Sequence, residues 1–379
     1  MKPFRAKLED NLRIFSWYVD HGLFKIISLF KNKKIPQEVN KIIIVEFKYI
    51  GDIVVLTPAI KALKEKFNSA KIDIIIPEGM KGLLENNPNI NKIIELNPLN
   101  YNSDELSQRL LKEKYDLGIL FHSGSYKLSK VLKDAGVKFR IGCTRQGVTE
   151  GKGFFLNNKT KPTFKWKHKV EDNLDVIKNL GINAIQKKTE LFVDLILKNK
   201  INSSLAKGPN KVVLIHPIPQ HKSHEWVPER FSELIKELVR LNYKVAISGS
   251  KKDNTKVNNI LNRLDKITKK QVINFSGKLN LKGLIALASC ADYVISVDTG
   301  TMHIAAALDK PVISLFGAGN PKIWHPYTEK QISIFKDKEV CTSCMKHKCF
   351  RKGKRNMECM KAITIQDILS AFERIKSLT

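Results

Sequence analysis

Apolar positions in this chain gather into short unbroken runs. Runs at 42–47, 72–76, 92–96 and 116–121 are rich in Ile, Val and Leu. Unbroken apolar runs of strand length are expected where a strand is covered on both faces, as in a parallel sheet. Between them, helical spacing predicts helices at 58–67, 104–112 and 126–135. The stretch 197–210 (LKNKINSSLAKGPN) is polar, carries Ser-Ser, Gly and Pro, and reads as a linker. The alternation then restarts, with strands predicted at 211–215, 244–248, 272–275, 293–297 and 311–316. Helices are predicted at 228–241, 281–289 and 302–308, and a last one at 365–375. This order predicts an α/β protein of doubly wound parallel sheets. Two sheets facing one another leave a cleft, the usual place for a ligand.

Before residue 41 the pattern is different. Leu12, Phe15, Val19, Leu23, Ile26, Ile27 and Phe30 recur at helical spacing, and Lys31, Lys33 and Lys34 follow. Such a basic amphipathic leader, 1–40, could lie in a membrane interface or pack on the body of the protein. A length of 379 residues exceeds one ordinary core. The expected division is an N-terminal domain over 41–200, a C-terminal domain over 211–362 and a closing helix in 363–379. No apolar run is long enough to span a membrane and no secretory signal is evident, so a cytoplasmic protein is expected.

The formal charge of +29 favours anionic partners such as phosphorylated glycans or an anionic membrane surface, although a compositional bias toward Lys accounts for part of it. No nucleic-acid-binding module stands out, so no nucleic-acid partner is expected.

Four segments could carry chemistry. The stretch 296–307 (SVDTGTMHIAAA) places Asp298, Thr299, Gly300 and Thr301 where a buried strand turns into a small-residue helix. Free N–H groups at a helix start favour an anion, and Gly300 permits close approach to the backbone. The stretch 47–59 (FKYIGDIVVLTPA) puts Gly51-Asp52 just past the first strand. A carboxylate there could take a proton from a hydroxyl, or merely cap the next helix. The stretch 216–231 (HPIPQHKSHEWVPERF) gathers Lys222 and three histidines in one loop. Lys222 offers a mobile point charge for phosphate. Cys341, Cys344, Cys349 and Cys359 could close a zinc site, form a labile disulfide or remain reduced thiols; their spacing does not select among these. No dinucleotide or P-loop fingerprint is present.

In this order the segments resemble glycosyltransferase family 9, the lipopolysaccharide heptosyltransferases. The residues that carry the likeness are Gly51-Asp52 with Thr57-Pro58, the stretch 226–231 (WVPERF), Asp298-Thr299-Gly300 with His303 and Ala305 to Ala307, Leu315-Phe316-Gly317 with Pro321, and the C-terminal cysteines. The resemblance spans about 41–375 and implies the GT-B fold, two Rossmann-like domains facing a central cleft. It implies inverting, metal-independent transfer of heptose from ADP-heptose to the lipid A–core of lipopolysaccharide, at the inner face of the inner membrane and without a cofactor. It makes Asp52 the general base and Asp298 a contact to the donor sugar. Thr299, Gly300 and Thr301 would then hold the diphosphate, with His303 nearby, and Gly51 would be a further substrate-binding residue. The family commonly has Lys two residues before the Trp of 226–231; here that place is His224. Either Lys222 reaches the diphosphate from a shifted loop, or His224 supplies a pH-dependent contact. A noncatalytic adaptor for acidic glycolipid and a nucleotide-sugar epimerase are the competing readings.

Overall fold

The computed structural model describes residues 38–121, 126–143, 154–160, 167–184, 186–205, 211–337 and 340–378. Nearly all of the leader therefore lies outside the described residues. The first sheet holds β1 (Lys41–Val45), β2 (Lys71–Pro77), β3 (Lys92–Leu96), β4 (Leu117–Leu120), β5 (Phe139–Cys143) and β6 (Asn158–Thr160) in the order β3-β2-β1-β4-β5-β6. The second holds β7 (Val212–His216), β8 (Lys244–Ile247), β9 (Val272–Asn274), β10 (Tyr293–Val297), β11 (Val312–Phe316) and β12 (Gln331–Phe335) in the order β12-β11-β10-β7-β8-β9. Every strand pairing among the described residues is parallel.

The two sheets repeat one topology. Each builds outward from its first strand, then crosses back and grows on the other side. The order reverses between β1 and β4 in one sheet and between β7 and β10 in the other. Ligands of open α/β sheets bind beyond the carboxyl ends of strands at such points. The central strands are apolar because both faces are covered. Ile42 and Ile44 belong to one buried cluster, while Ile43 and Val45 belong to another on the opposite face.

Three strands escape the apolar-run criterion. β12 (QISIF) alternates polar and apolar residues because it lies at the sheet edge. β5 interrupts its run with Arg140 and Gly142, and β6 is three residues of polar type at the other sheet's edge.

The linker expected over 197–210 is corrected for its first part. Leu195–Leu205 is a helix. Leu197, Ile201 and Leu205 recur every four residues, and Ile201 and Leu205 are buried. Asp194 opens the helix, its carboxylate accepting from the Ile196 and Leu197 N–H groups at 3.0 and 3.1 Å. The helix packs against Leu281–Cys290 beneath the second sheet. Lys244 Nζ donates to the Leu205 carbonyl at 2.8 Å, tying the helix end to β8.

The closing helix, Ile365–Lys376, packs on β11, β12 and the helix Pro228–Arg240. Trp226 is buried, and its indole N–H donates to the Ile363 carbonyl at 2.9 Å. The WVPERF stretch thus serves packing of the second half at that point.

Candidate functional site

Residues 46–52 leave the carboxyl end of β1 and bend at once into the short helix Ile50–Val54. A second helix, Thr57–Lys66, follows, with proline in its first turn. Asp52 lies in the first turn of the short helix, where its carboxylate accepts from the Tyr49 N–H at 3.4 Å. The capping role weighed from sequence is present, and it holds the carboxylate near the switch point.

Asp52 is 5% exposed, and burial raises its carboxyl above the usual range against the opposing charges of Lys169 and Lys48. A second acid lies beside it. Glu46 is 1% exposed, and both of its carboxylate oxygens lack a hydrogen-bond partner. Burial and then the Asp52 charge push the Glu46 carboxyl up to about 8. Burial thus biases both carboxyls toward their protonated forms; the Asp52 charge adds to that bias at Glu46, while Lys169 and Lys48 oppose it at Asp52.

The second half contributes the turn after β10. Thr299 caps the helix Gly300–Ala307, its hydroxyl accepting from the Thr301 N–H at 3.3 Å. The helix is small and apolar because it is buried throughout, wedged against β10 and β11. Asp298, Thr299 and Gly300 are half-buried at its open end, and Thr301 is buried. Gly319, in the turn after β11, has no room for a side chain because a Cβ would overlap the Asp298 carboxylate.

The two halves meet at these turns. The helices Ile50–Val54 and Gly300–Ala307 pack on one another. A Cβ on Gly300 would lie 2.5 Å from Ile50 Cγ2, and a Cβ on Gly51 would lie 2.8 Å from His303 Cδ2. Both glycines are required by this close approach. His303 is buried, and burial drives its imidazole down to about 3, with His168 and His325 adding to the effect. It is a neutral ring.

The loop after β7 places Lys222 and His224 differently. The turn Lys222–His224 leaves Lys222 exposed and carries His224 Nδ1 to 3.1 Å from Asp298 Oδ2. His224 is the residue brought to the site. The turn is docked from behind, with the Ser223 N–H donating to the His347 carbonyl at 3.3 Å. The His347 segment in turn backs onto the turn after β11, where Ser343 and Met345 N–H groups donate to the Gly317 and Ala318 carbonyls at 2.9 Å each.

The four C-terminal cysteines lie in one neighbourhood behind that wall. Cys359 is buried, and burial pushes its thiol up to about 11, with Cys341, Cys344 and Cys349 adding to the push. Among the described residues, no group of three or more His, Cys, Asp and Glu is arranged to hold a metal ion. The zinc option for these thiols therefore finds no support in their arrangement.

Glu46, Lys169 and His168 had no sequence motif to mark them. A lone acid ending an Ile-rich strand, as Glu46 does, was the available signal. His168 and Lys169 lie at a helix start 116 and 117 positions beyond Asp52, and only the fold brings them near.

The family profile described as glycosyltransferase family 9 (heptosyltransferase) matches residues 104–354. The chain belongs to glycosyltransferase family 9. It is 27% identical over 344 residues to lipopolysaccharide heptosyltransferase 3 of Escherichia coli K12, covering 86% of this chain and 96% of that protein. Among solved structures, E. coli ADP-heptose lipopolysaccharide heptosyltransferase II superposes with a TM-score of 0.74 at 22% identity, over 88% of this chain and 98% of that one. E. coli heptosyltransferase WaaC with ADP-2-deoxy-2-fluoro heptose gives 0.66 at 18% identity, over 88% and 99%. The fold is GT-B, and this family 9 chain is a glycosyltransferase. No helix among its described residues is long and apolar enough to cross a membrane.

Proposed function

We propose that this family 9 enzyme moves heptose from ADP-heptose to the lipid A–core of lipopolysaccharide, with inversion at the anomeric carbon and without a metal. The relatives' names supply the donor and acceptor classes. One observation carries the reading to these residues: the Asp52 loop of the first sheet confronts the Asp298–His303 turn of the second at glycine-to-ring distance. The half built on 41–200 would receive the acceptor and the half built on 211–362 the donor. The helix Leu195–Leu205 goes with the donor half by its packing.

Inverting transfer needs in-line attack, with acceptor and leaving group on opposite faces of the sugar. Asp52 takes the acceptor hydroxyl proton as the new bond forms. The departing ADP gathers negative charge at Thr299, Gly300 and Thr301, where N–H groups at the helix start favour an anion. His224 orients Asp298 for its contact to the sugar. His303 packs neutral beneath Gly51 and fixes how closely the halves approach. Lys48 and Lys169 favour the ionised form of Asp52 and an acidic acceptor. The overall +29 charge suits work at an anionic inner-membrane face in the cytoplasm.

The test is incubation of the full chain with ADP-heptose and a heptose-deficient lipopolysaccharide core, with and without EDTA. A heptosylated product of inverted anomeric configuration, formed equally in both, is expected. Epimerised donor without transfer would favour the epimerase reading. Absence of ADP-heptose binding would favour a noncatalytic adaptor.

A further inference from the structure

Outside the reacting turns, the halves are joined by a cluster of rings that no step above uses. His168 caps the helix Lys169–Lys178, which packs on Thr57–Lys66 of the first half. His325 and Tyr327 follow the short helix Pro321–Trp324 of the second half. The His168 ring lies 4.4 Å from that of His325 and 4.6 Å from that of Tyr327, centre to centre. The Tyr327 hydroxyl crosses back to donate to Glu171 at 2.7 Å.

The hydrogen bonds of His168 admit one protonation state. Its Nδ1 accepts from the Val170 N–H at 3.1 Å, so that nitrogen carries no proton. Its Nε2 then carries the proton and donates to the His325 carbonyl at 2.8 Å, across the gap between the halves. Adding a proton to Nδ1 would set N–H against N–H and lose the cap. The groups facing the ring are Glu171 on its own helix, His325 and Tyr327 from the opposite segment, and His303 from the helix Gly300–Ala307. Burial outweighs the Glu171 charge and brings His168 down to about 4.

We propose that His168 is a positioning residue for the transfer: only as a neutral ring does it clasp the two halves, and the clasp sets the approach of the Asp52 loop to the Asp298–His303 turn. What is positioned rests on the function proposed above; the clasp itself does not. Proton binding and clasping exclude one another. The open form takes up a proton near the ordinary value of 6.5, and the clasped form near 4. The clasp is fully available above the ordinary value. It weakens as pH falls below it, by roughly tenfold per pH unit until the clasped form also protonates. A smaller closed fraction lowers apparent acceptor affinity in proportion.

Two measurements on the full chain test this. Asn at 168 keeps a favoured capping side chain, is too short to reach His325, and does not titrate. His168→Asn is expected to raise acceptor KM at pH 7.5 with kcat within about twofold, because the populated closed fraction falls. The ratio of wild-type to variant kcat/KM, which cancels the titration of Asp52, should stay above one and nearly constant between pH 7.5 and 5.5, because the populated clasp keeps the ring free of a proton there, and decline only at lower pH. A ratio of one, or a ratio that falls about tenfold between pH 7.5 and 5.5, would overturn the proposal. The second measurement needs no substrate. The His168 ring resonance, assigned by its loss in His168→Asn or by the shift that Tyr327→Phe imposes on it, should stay neutral from pH 8 to 5.5. A midpoint near the ordinary histidine value would overturn the clasp whatever sugar the enzyme transfers.

Discussion

Gly51 and His303 meet where the two halves of the enzyme touch, with the imidazole edge filling the space a side chain on Gly51 would need. One residue follows the first strand of the first sheet, and the other lies in the helix after the fourth strand of the second. Their contact makes the cleft geometry depend on two missing side chains, at Gly51 and at Gly300.

Gly300→Ala should therefore push the halves apart, since its methyl would press on Ile50. Overpacking of this kind costs about 1–3 kcal/mol when the surroundings cannot yield. The expected result is a lower melting temperature and a loss of transfer greater than the loss of ADP affinity. Thermal unfolding and calorimetry with ADP check this, and a variant with wild-type turnover would remove the close approach from the mechanism.

Glu46 and Asp52 should respond differently to amide substitution. The Glu46 carboxyl is raised, so the folded state prefers it protonated. Its contribution to stability is greatest below the ordinary value of 4.5, is lost progressively as pH rises toward about 8, and then levels off. Glu46→Gln mimics the protonated form. Its melting temperature should gain on the wild type as pH rises from 5 to 8, while activity at pH 7 is retained. A constant difference across that range would mean that Glu46 is ionised throughout.

His224, rather than Lys222, should govern donor affinity. His224 Nδ1 lies 3.1 Å from Asp298, whereas Lys222 is exposed. Leaving the half-buried Asp298 carboxylate without this partner costs about 1–3 kcal/mol, roughly a tenfold effect. His224→Ala is expected to raise donor KM by about that factor and acceptor KM little, with Lys222→Ala near wild type. Steady-state kinetics varying each substrate in turn decide it; the reverse ranking would return the diphosphate contact to Lys222.

Much of this arrangement was legible in the chain. Buried parallel strands announce themselves as runs such as KIIIV and YVISV because both faces need apolar cover. Edge strands such as β12 do not, since one side meets solvent and the pattern alternates. The helix Leu195–Leu205 was hidden by Asn, Lys and Ser on its outer face, although Leu197, Ile201 and Leu205 kept its period. Asp52, Asp298 and His303 could be found because they fall in the stretches 47–59 and 296–307, where a strand gives way to a helix beside a glycine. Glu46 and His168 could not. Their significance lies in burial without a partner and in a bond across the cleft, and both exist only after folding.

Asp52 carries the greatest weight, and two assays on Asp52→Asn examine it together. The substitution removes the proton acceptor, keeps the shape and leaves the Asp298–His303 turn untouched. Transfer to the core acceptor should fall by about 10²–10⁴-fold, the usual contribution of a general base. Calorimetric affinity for ADP-heptose should stay within about twofold, since that factor corresponds to well under one tenfold step in free energy. Turnover near the wild-type rate, with donor binding intact, would contradict the assignment of Asp52 as the base.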